Sequence, residues 1–255
     1  MMLCPLCGSQ SQDAFKTQHT QVKKCSNPSC RHLFSENHLS QTGEMDYSET
    51  VDFSKFRERN FKMIDYLFQQ GYLSQGDKVL DLGSGSGHIA RTFVERGIDV
   101  VCVEASHSGR KILDSLGLVN YASINDIPID QTFNLILMIE VIEHLSFPIQ
   151  ALTHIRTRLT DNGVIFITTP CGQSLKPIFN LEKLKTSPAY IEKTHLHFFS
   201  KHSLESCFHS AGLSHYQREY LSWMVPDKSS LRDFIDRVKC YLDWDAHLTY
   251  FVFNS

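Results

Sequence analysis

The segment from Lys78 to Glu104 limits what this chain can fold into more than any other part. Lys78-Val79-Leu80-Asp81-Leu82 is a short apolar run, followed by Gly83-Ser84-Gly85-Ser86-Gly87 and then a helical pattern from His88 to Arg96. A second run, Asp99-Val100-Val101-Cys102-Val103, ends on Glu104. Strand, glycine turn, helix, strand and terminal acid make half of a nucleotide-binding α/β sheet. Glycines let the backbone turn tightly and leave room for a ligand at the helix N-terminus. The acid closing the second strand is placed to accept both hydroxyl hydrogens of a ribose.

A dinucleotide loop, G-x-G-x-x-G, needs its third glycine at position 88, which is His88 here. The loop reads instead Asp81-x-Gly83-x-Gly85-x-Gly87. An acid just ahead of the glycines repels a pyrophosphate and suits a cationic ligand such as the methionine end of S-adenosylmethionine. Asp81 and the glycine loop are therefore expected to hold the methionine moiety and Glu104 the ribose. Loss of Glu104 is expected to weaken binding without changing the stability of the unliganded protein.

Val79 to Gly87 resembles motif I of the class I S-adenosylmethionine-dependent methyltransferases. The run Phe133-Asn134-Leu135-Ile136-Leu137-Met138-Ile139-Glu140-Val141-Ile142-Glu143-His144-Leu145 resembles the fourth-strand segment of that family. Leu159 to Thr169, with Asp161-Asn162-Gly163 as its turn, resembles the segment entering strand five. His195-Leu196-His197-Phe198-Phe199-Ser200, leading to Leu204 and Ala211-Gly212-Leu213, is similar to the late segment of one subgroup. That subgroup includes ubiquinone-pathway O-methyltransferases and bacterial enzymes acting on sugars or lipids. The resemblance spans residues 53–221.

It implies an α/β class with a doubly wound, seven-stranded Rossmann-like methyltransferase sheet. Its closing strand, Leu248 to Phe253, would run antiparallel between strands five and six. It also implies S-adenosyl-L-methionine as cofactor, contacted by Asp81, Gly83, Ser84, Gly85, Gly87, Glu104, Ala105, Asn125, Asp126 and Glu140. The implied reaction is methyl transfer to a small-molecule acceptor: a sugar, lipid or secondary-metabolite hydroxyl or carbon. Two departures stand out. Asn134 replaces an acid the family often carries, and the usual acidic pair of the adenine-contacting stretch is displaced at Ser123-Ile124-Asn125-Asp126.

Glu140, Glu143 and His144 stand at i, i+3 and i+4 and share one face of a helical turn. They follow the fourth strand at the carboxyl edge of the sheet, where α/β proteins bind their ligands. Two readings stay open. In one, Glu140 lies near the cofactor while the others line the acceptor cavity, with His144 as base and His195 and His197 as further catalytic candidates. In the other, Glu140, Glu143 and His144 bind a divalent cation with His195 or His197. A similar cluster occurs in small-RNA 2′-O-methyltransferases and ubiquinone-pathway enzymes. A plainer alternative has Glu143 and His144 hydrogen-bond locally to order the turn, and the expectation is metal-independent activity with a modest effect of Glu143→Gln. As strand residues, His195 and His197 would point to one face, with Leu196 on the other.

Four of the 8 cysteines fall within the first 30 residues: Cys4-Pro5-Leu6-Cys7-Gly8 and Cys25-Ser26-Asn27-Pro28-Ser29-Cys30. Two knuckles separated by 17 residues suit a zinc ribbon in which each hairpin tip gives two thiolates to one tetrahedral ion. Ala14-Phe15 and Gln21-Val22-Lys23 supply its two short strands. So small a module has no core of its own, and the metal would supply its folding energy. The division expected is a zinc ribbon over 1–40, a linker over 41–52 and a methyltransferase domain over 53–255, the two modules folding separately.

Composition sets the remaining bounds. Hydrophobic residues at 42% and charged residues at 21% match globular chains, which excludes disordered and fibrous classes. A net charge of −3 argues against a broad nucleic-acid surface. No apolar run is long enough to cross a membrane, and no secretory signal is evident, so a cytoplasmic location is expected. The stretch Cys171 to Glu192 reads as a lid, and Leu231 to Leu242 as an amphipathic helix. A rival reading makes the α/β domain inactive and the ribbon a binding module for nucleic acid or protein, using Lys16, Lys23, Lys24 and Arg31.

Overall fold

The computed structural model describes residues 2–39, 54–172, 188–221 and 247–254. The expected linker at 41–52, most of the lid and the helix at 231–242 lie outside the described residues. Three short strands come first: β1 (Ser11–Lys16), β2 (Gln21–Cys25) and β3 (Leu33–Ser35). Helix α1 (Ser54–Gln69) leads into β4 (Lys78–Leu82), α2 (His88–Glu95), β5 (Asp99–Val103), α3 (His107–Ser115) and β6 (Asn120–Tyr121). Then come β7 (Phe133–Ile139), α4 (Pro148–Arg156), β8 (Leu159–Pro170), α5 (Pro188–Ile191), β9 (His197–Phe198), α6 (Lys201–Ser210), β10 (His215–Arg218) and β11 (His247–Phe253).

Seven strands make one sheet in the order β10-β11-β8-β7-β4-β5-β6. β4 pairs in parallel with both β5 and β7, so the strand order reverses direction at β4, the point where such sheets open a ligand crevice. β11 lies antiparallel between β8 and β10, as the resemblance implied. β4, β5 and β7 are near-continuous apolar runs because both faces of the sheet are covered. Val79, Val100, Leu135, Leu137 and Phe166 meet Met63, Ile64 and Leu67 of α1 and Phe93 of α2 on one face. Leu80, Val101, Ile136 and Ile165 meet Leu152 of α4 and Leu204 and Phe208 of α6 on the other. Residues alternating along each strand divide between these two cores, as the period of a pleated strand requires.

The first three strands do not stand apart. β1, β2 and β3 form an antiparallel sheet whose fourth strand is β9, with Leu33 opposite Phe198 and Phe34 opposite His197. Leu6, from the first cysteine knuckle, packs against both the cysteine cluster and the main core. His202 of α6 donates from Nε2 to the Ser29 carbonyl at 2.5 Å. Separate folding of the two modules, expected from the cysteine spacing alone, does not match this shared sheet. Among the described residues, no helix is long and apolar enough to cross a membrane.

Candidate active site

The carboxyl ends of β4, β5 and β7 bring Asp81, Glu104 and Glu140 to one edge of the sheet, the first two within one crevice. Asp81, in β4, is 3% exposed, and its Oδ2 has no hydrogen-bond partner. Burial, reinforced by the nearby charge of Glu104, pushes its carboxyl up to about 7. Glu104, just past β5, accepts the Gly85 amide at Oε2 and the Ser106 amide at Oε1, each at 2.8 Å. The buried Ser84 hydroxyl donates to the Asp81 carbonyl at 2.6 Å and closes the loop on itself. Gly83, Gly85 and Gly87 have φ of 74°, 54° and 76°, the left-handed region. At Gly83 a Cβ would also lie 2.5 Å from Val141 Cγ2, so the residue must be glycine for space as well as for backbone conformation.

Two buried carboxylates in one crevice, one with an orphaned oxygen, are costly without a cation. This donor set fits the sulfonium and ammonium groups of S-adenosylmethionine. Ala105 is exposed beside Glu104. Asn125 and Asp126 sit exposed in a single 3₁₀ turn, Ile124–Asp126, where the Asp126 Oδ2 accepts the Ser123 amide at 2.9 Å. One oxygen of that acid therefore shapes the turn.

At Glu140 the chain leaves β7 with φ of 56°, a left-handed conformation uncommon outside glycine and typical of functional sites. Its amide donates to the Thr168 carbonyl and its Oε1 accepts the Thr168 hydroxyl, both at 3.0 Å. This kink delivers the chain into a 3₁₀ turn, Ile142–His144. Glu143 is buried there: Oε2 accepts the Thr169 hydroxyl at 2.9 Å, and Oε1 has no hydrogen-bond partner. Burial, with Glu140 adding repulsion, raises its carboxyl well above the ordinary range.

His144 and His195 meet at this point, their rings 4.8 Å apart. His144 Nδ1 lies 3.0 Å from the Thr194 carbonyl, and His195 Nδ1 lies 2.9 Å from the Ala189 carbonyl. A carbonyl only accepts, so both Nδ1 atoms carry hydrogen and both Nε2 atoms keep a lone pair. His195 Nε2 is 3.9 Å from Glu143 Oε1. One ligand atom from each of Glu143, His144 and His195 lies within 4.8 Å of the other two. Burial lowers the pKa of both imidazoles, favouring the neutral form that a metal ligand requires. A divalent cation suits this donor set, because it would satisfy the orphaned Glu143 oxygen and both lone pairs.

The structure does not bring every candidate to this cluster. Glu140 stays with Thr168, its Oε2 3.9 Å from His247 Nε2. His197 sits elsewhere: it is buried, its Nδ1 3.0 Å from His32 Nε2, and its ring stacks on Phe199. Burial pushes His197 down to about 3. The expectation that His195 and His197 share one face of a strand fails because β9 begins only at His197, leaving His195 in the irregular segment before it. The sequence reading overlooked Thr168, Thr169 and His247, which meet the Glu140 and Glu143 carboxylates from β8 and β11. It also overlooked Arg59 of α1, whose guanidinium lies over the Phe56 ring and close enough to feel the Glu140 charge.

Cys4, Cys7, Cys25 and Cys30 offer four sulfurs within 4.8 Å of one another. Cys4 Sγ lies 3.8 Å from Cys30 Sγ, and Cys7 Sγ lies 3.4 Å from Cys25 Sγ. Four thiolates at about 2.3 Å from one zinc stand about 3.8 Å apart, so the cluster fits that ion. The left-handed turn at Gly8, φ 70°, supports the first knuckle.

A seven-stranded sheet with one antiparallel strand, a glycine loop after β4 and an acid after β5 defines the S-adenosylmethionine-dependent methyltransferase class. A family model described as a methyltransferase domain matches residues 53–217, and the chain belongs to that family. It is 28% identical to a ubiquinone biosynthesis O-methyltransferase of Pasteurella multocida over 136 residues, 46% of this chain and 56% of that one. A mitochondrial ubiquinone biosynthesis O-methyltransferase of Schizosaccharomyces pombe is 26% identical over 142 residues, 52% of this chain and 46% of that one. The chain thus spans about half the length of these curated relatives. A SAM-dependent methyltransferase from Archaeoglobus fulgidus superposes with a TM-score of 0.54 at 16% identity, covering 78% of this chain and 96% of the other. The plantazolicin methyltransferase BamL, solved with SAH, gives 0.55 at 16% identity, covering 80% and 87%. Those two structures bear on the fold alone.

Proposed function

We propose that this chain transfers a methyl group from S-adenosylmethionine to a hydroxyl of a small-molecule acceptor, with a divalent cation held by Glu143, His144 and His195. The carrying observation is the convergence of the Glu143 carboxylate with two imidazoles whose Nδ1 atoms are both committed to backbone carbonyls. Those two carbonyl contacts fix tautomer and ring orientation before any ligand arrives. The names of the ubiquinone biosynthesis O-methyltransferases to which the chain is similar favour oxygen as the acceptor atom.

The cofactor supplies an electrophilic methyl on sulfur, and a divalent cation supplies Lewis acidity to a bound hydroxyl. The chain's own task is alignment, since displacement at a sulfonium carbon needs nucleophile and methyl in line. Asp81 counters the positive charge of the methionine end, Glu104 accepts from the ribose, and Glu140 stands between that crevice and the histidine cluster. We further assign adenine contact to the turn carrying Asn125 and Asp126, and one structural zinc to Cys4, Cys7, Cys25 and Cys30. The test is transfer of labelled methyl to a panel of hydroxylated small molecules, with and without added magnesium or manganese. Transfer that is metal-stimulated supports the reading. Transfer to none of the panel, or transfer indifferent to complete chelation, overturns it.

A further inference from the structure

We propose that the N-terminal cysteine module is a positioning element of the methyl-transfer site, acting through β9 to hold Glu143 and His195 at ligand distance. The proposal rests on the cation reading above for its consequence, and on backbone geometry for its substance. Leu196 is the joint. Its carbonyl accepts the Ser35 amide at the end of β3, and its own amide donates to the Glu143 carbonyl, both at 2.9 Å. One peptide group on either side of Leu196 therefore ties the third ribbon strand to the turn that carries Glu143 and His144. His195 is the residue immediately before that joint.

A second tie is independent of the first. The Ala189 carbonyl that orients His195 Nδ1 belongs to a residue buried in an apolar cluster shared between the ribbon (Val22, Leu33) and the α/β domain (Tyr190, Phe198). Phe15 of β1 adds an edge contact to Tyr190, ring centroids 5.3 Å apart. The rotamer and tautomer of His195 thus depend on a carbonyl of a residue that ribbon side chains help to bury. A third contact closes the arrangement: the buried His32 ring lies against His197 and Phe199 at 5.3 and 5.2 Å and is hydrogen-bonded to His197. Folding energy delivered by zinc to the ribbon is spent, in part, on fixing a loop of the α/β domain.

The S-adenosylmethionine crevice has a different anchorage. Among the described residues, Asp81, the glycine loop and Glu104 are tied to one another and to Ser106 by local hydrogen bonds at β4, β5 and the start of α3. Loss of the ribbon should therefore separate acceptor-side metal binding from cofactor binding, which a general loss of stability does not do.

The experiment compares the full wild-type chain with two variants. Cys7→Ser removes an exposed zinc thiolate. Leu33→Ala keeps all four cysteines and removes the side chain packed on Phe198 and Ala189. Two quantities are read: manganese affinity by electron paramagnetic resonance, and amide exchange of peptides spanning 141–146 and 194–199 by mass spectrometry. Both variants are expected to exchange at least tenfold faster in those peptides and to bind manganese at least tenfold more weakly. Peptides over β4 should exchange as in the wild type, and S-adenosylmethionine affinity should change less than threefold. Unchanged exchange over 141–146 and 194–199 in Leu33→Ala overturns the proposal, as does loss of protection spread equally over β4. A wild-type chain that binds no manganese defeats the cation reading only, and the exchange measurement still decides whether the ribbon positions the loop.

Discussion

Glu104 and Gly85 are bonded across the crevice, the carboxylate Oε2 accepting the loop amide at 2.8 Å. Its other oxygen accepts the Ser106 amide, so the acid clamps the glycine loop to the start of α3 before any ribose is present. A hydrogen bond to a charged group contributes about 1.5–3 kcal/mol. Glu104→Ala should weaken S-adenosylmethionine binding at least tenfold by titration calorimetry. It should also lower the melting temperature of the unliganded protein, contrary to an assignment of this acid to the ribose alone. Wild-type affinity in the variant would show that the acid has been misplaced.

Asp81 predicts a pH dependence of opposite sign with and without ligand. Its folded carboxyl is raised to about 7 from an ordinary value of 3.8. A raised pKa means that the folded state holds its proton where the unfolded chain has released it. The contribution to stability is therefore complete below about 4 and disappears as pH rises through about 7. Asp81→Asn should remove that slope and melt higher than wild type above pH 7 without ligand, the difference being on the order of a few kcal/mol. A cationic ligand reverses the preference: wild-type affinity for S-adenosylmethionine should rise with pH toward 7 and then level off. The asparagine variant should bind weakly at every pH, and a wild-type curve flat from pH 5 to 8 would contradict this.

Glu143→Gln keeps the shape of the buried side chain and removes the charge that a divalent ion needs. Turnover should fall by about a hundredfold at low metal concentration and recover in part as manganese is raised. His144→Ala and His195→Ala should each cost a similar factor. His197→Phe should weaken manganese dependence far less than loss of a ligand does, because His197 is bonded to His32 and supports the loop rather than standing among the ligands. Equal manganese dependence of the wild type and Glu143→Gln would count against the assignment.

The four cysteines should bind about one zinc per chain, by elemental analysis, with tetrahedral sulfur ligation in the absorption edge. Cys25→Ser should lose it. Stoichiometric zinc in a Cys4→Ser/Cys25→Ser double variant would refute the site.

The sheet and the cofactor crevice were legible because their signals are local. The apolar runs of β4 and β5, three glycines and two acids lie within one short segment, and each residue type is forced by backbone geometry or charge. Glu143 and His144 were legible by spacing. Their true partner was less so, since His195 and His197 look equivalent in a strand pattern. A two-residue strand that starts at His197 sends them to different neighbours. The link between ribbon and sheet left no trace in the pattern at all. His32 and His197 are 165 positions apart, and no periodicity reports a contact of that kind. Lys23, counted toward a basic patch on the ribbon, is paired with Asp13 on the neighbouring strand, a cross-strand match that composition does not reveal.

Among the described residues, β9 is an edge strand whose one neighbour is β3. Cutting the chain after the ribbon would uncover its backbone hydrogen-bonding groups together with Ala189, Tyr190 and Phe198, all now buried. A short unpaired strand beside aromatic surface is a template for self-association. A shortened protein beginning at residue 53 would be expected to aggregate, even if its crevice were intact.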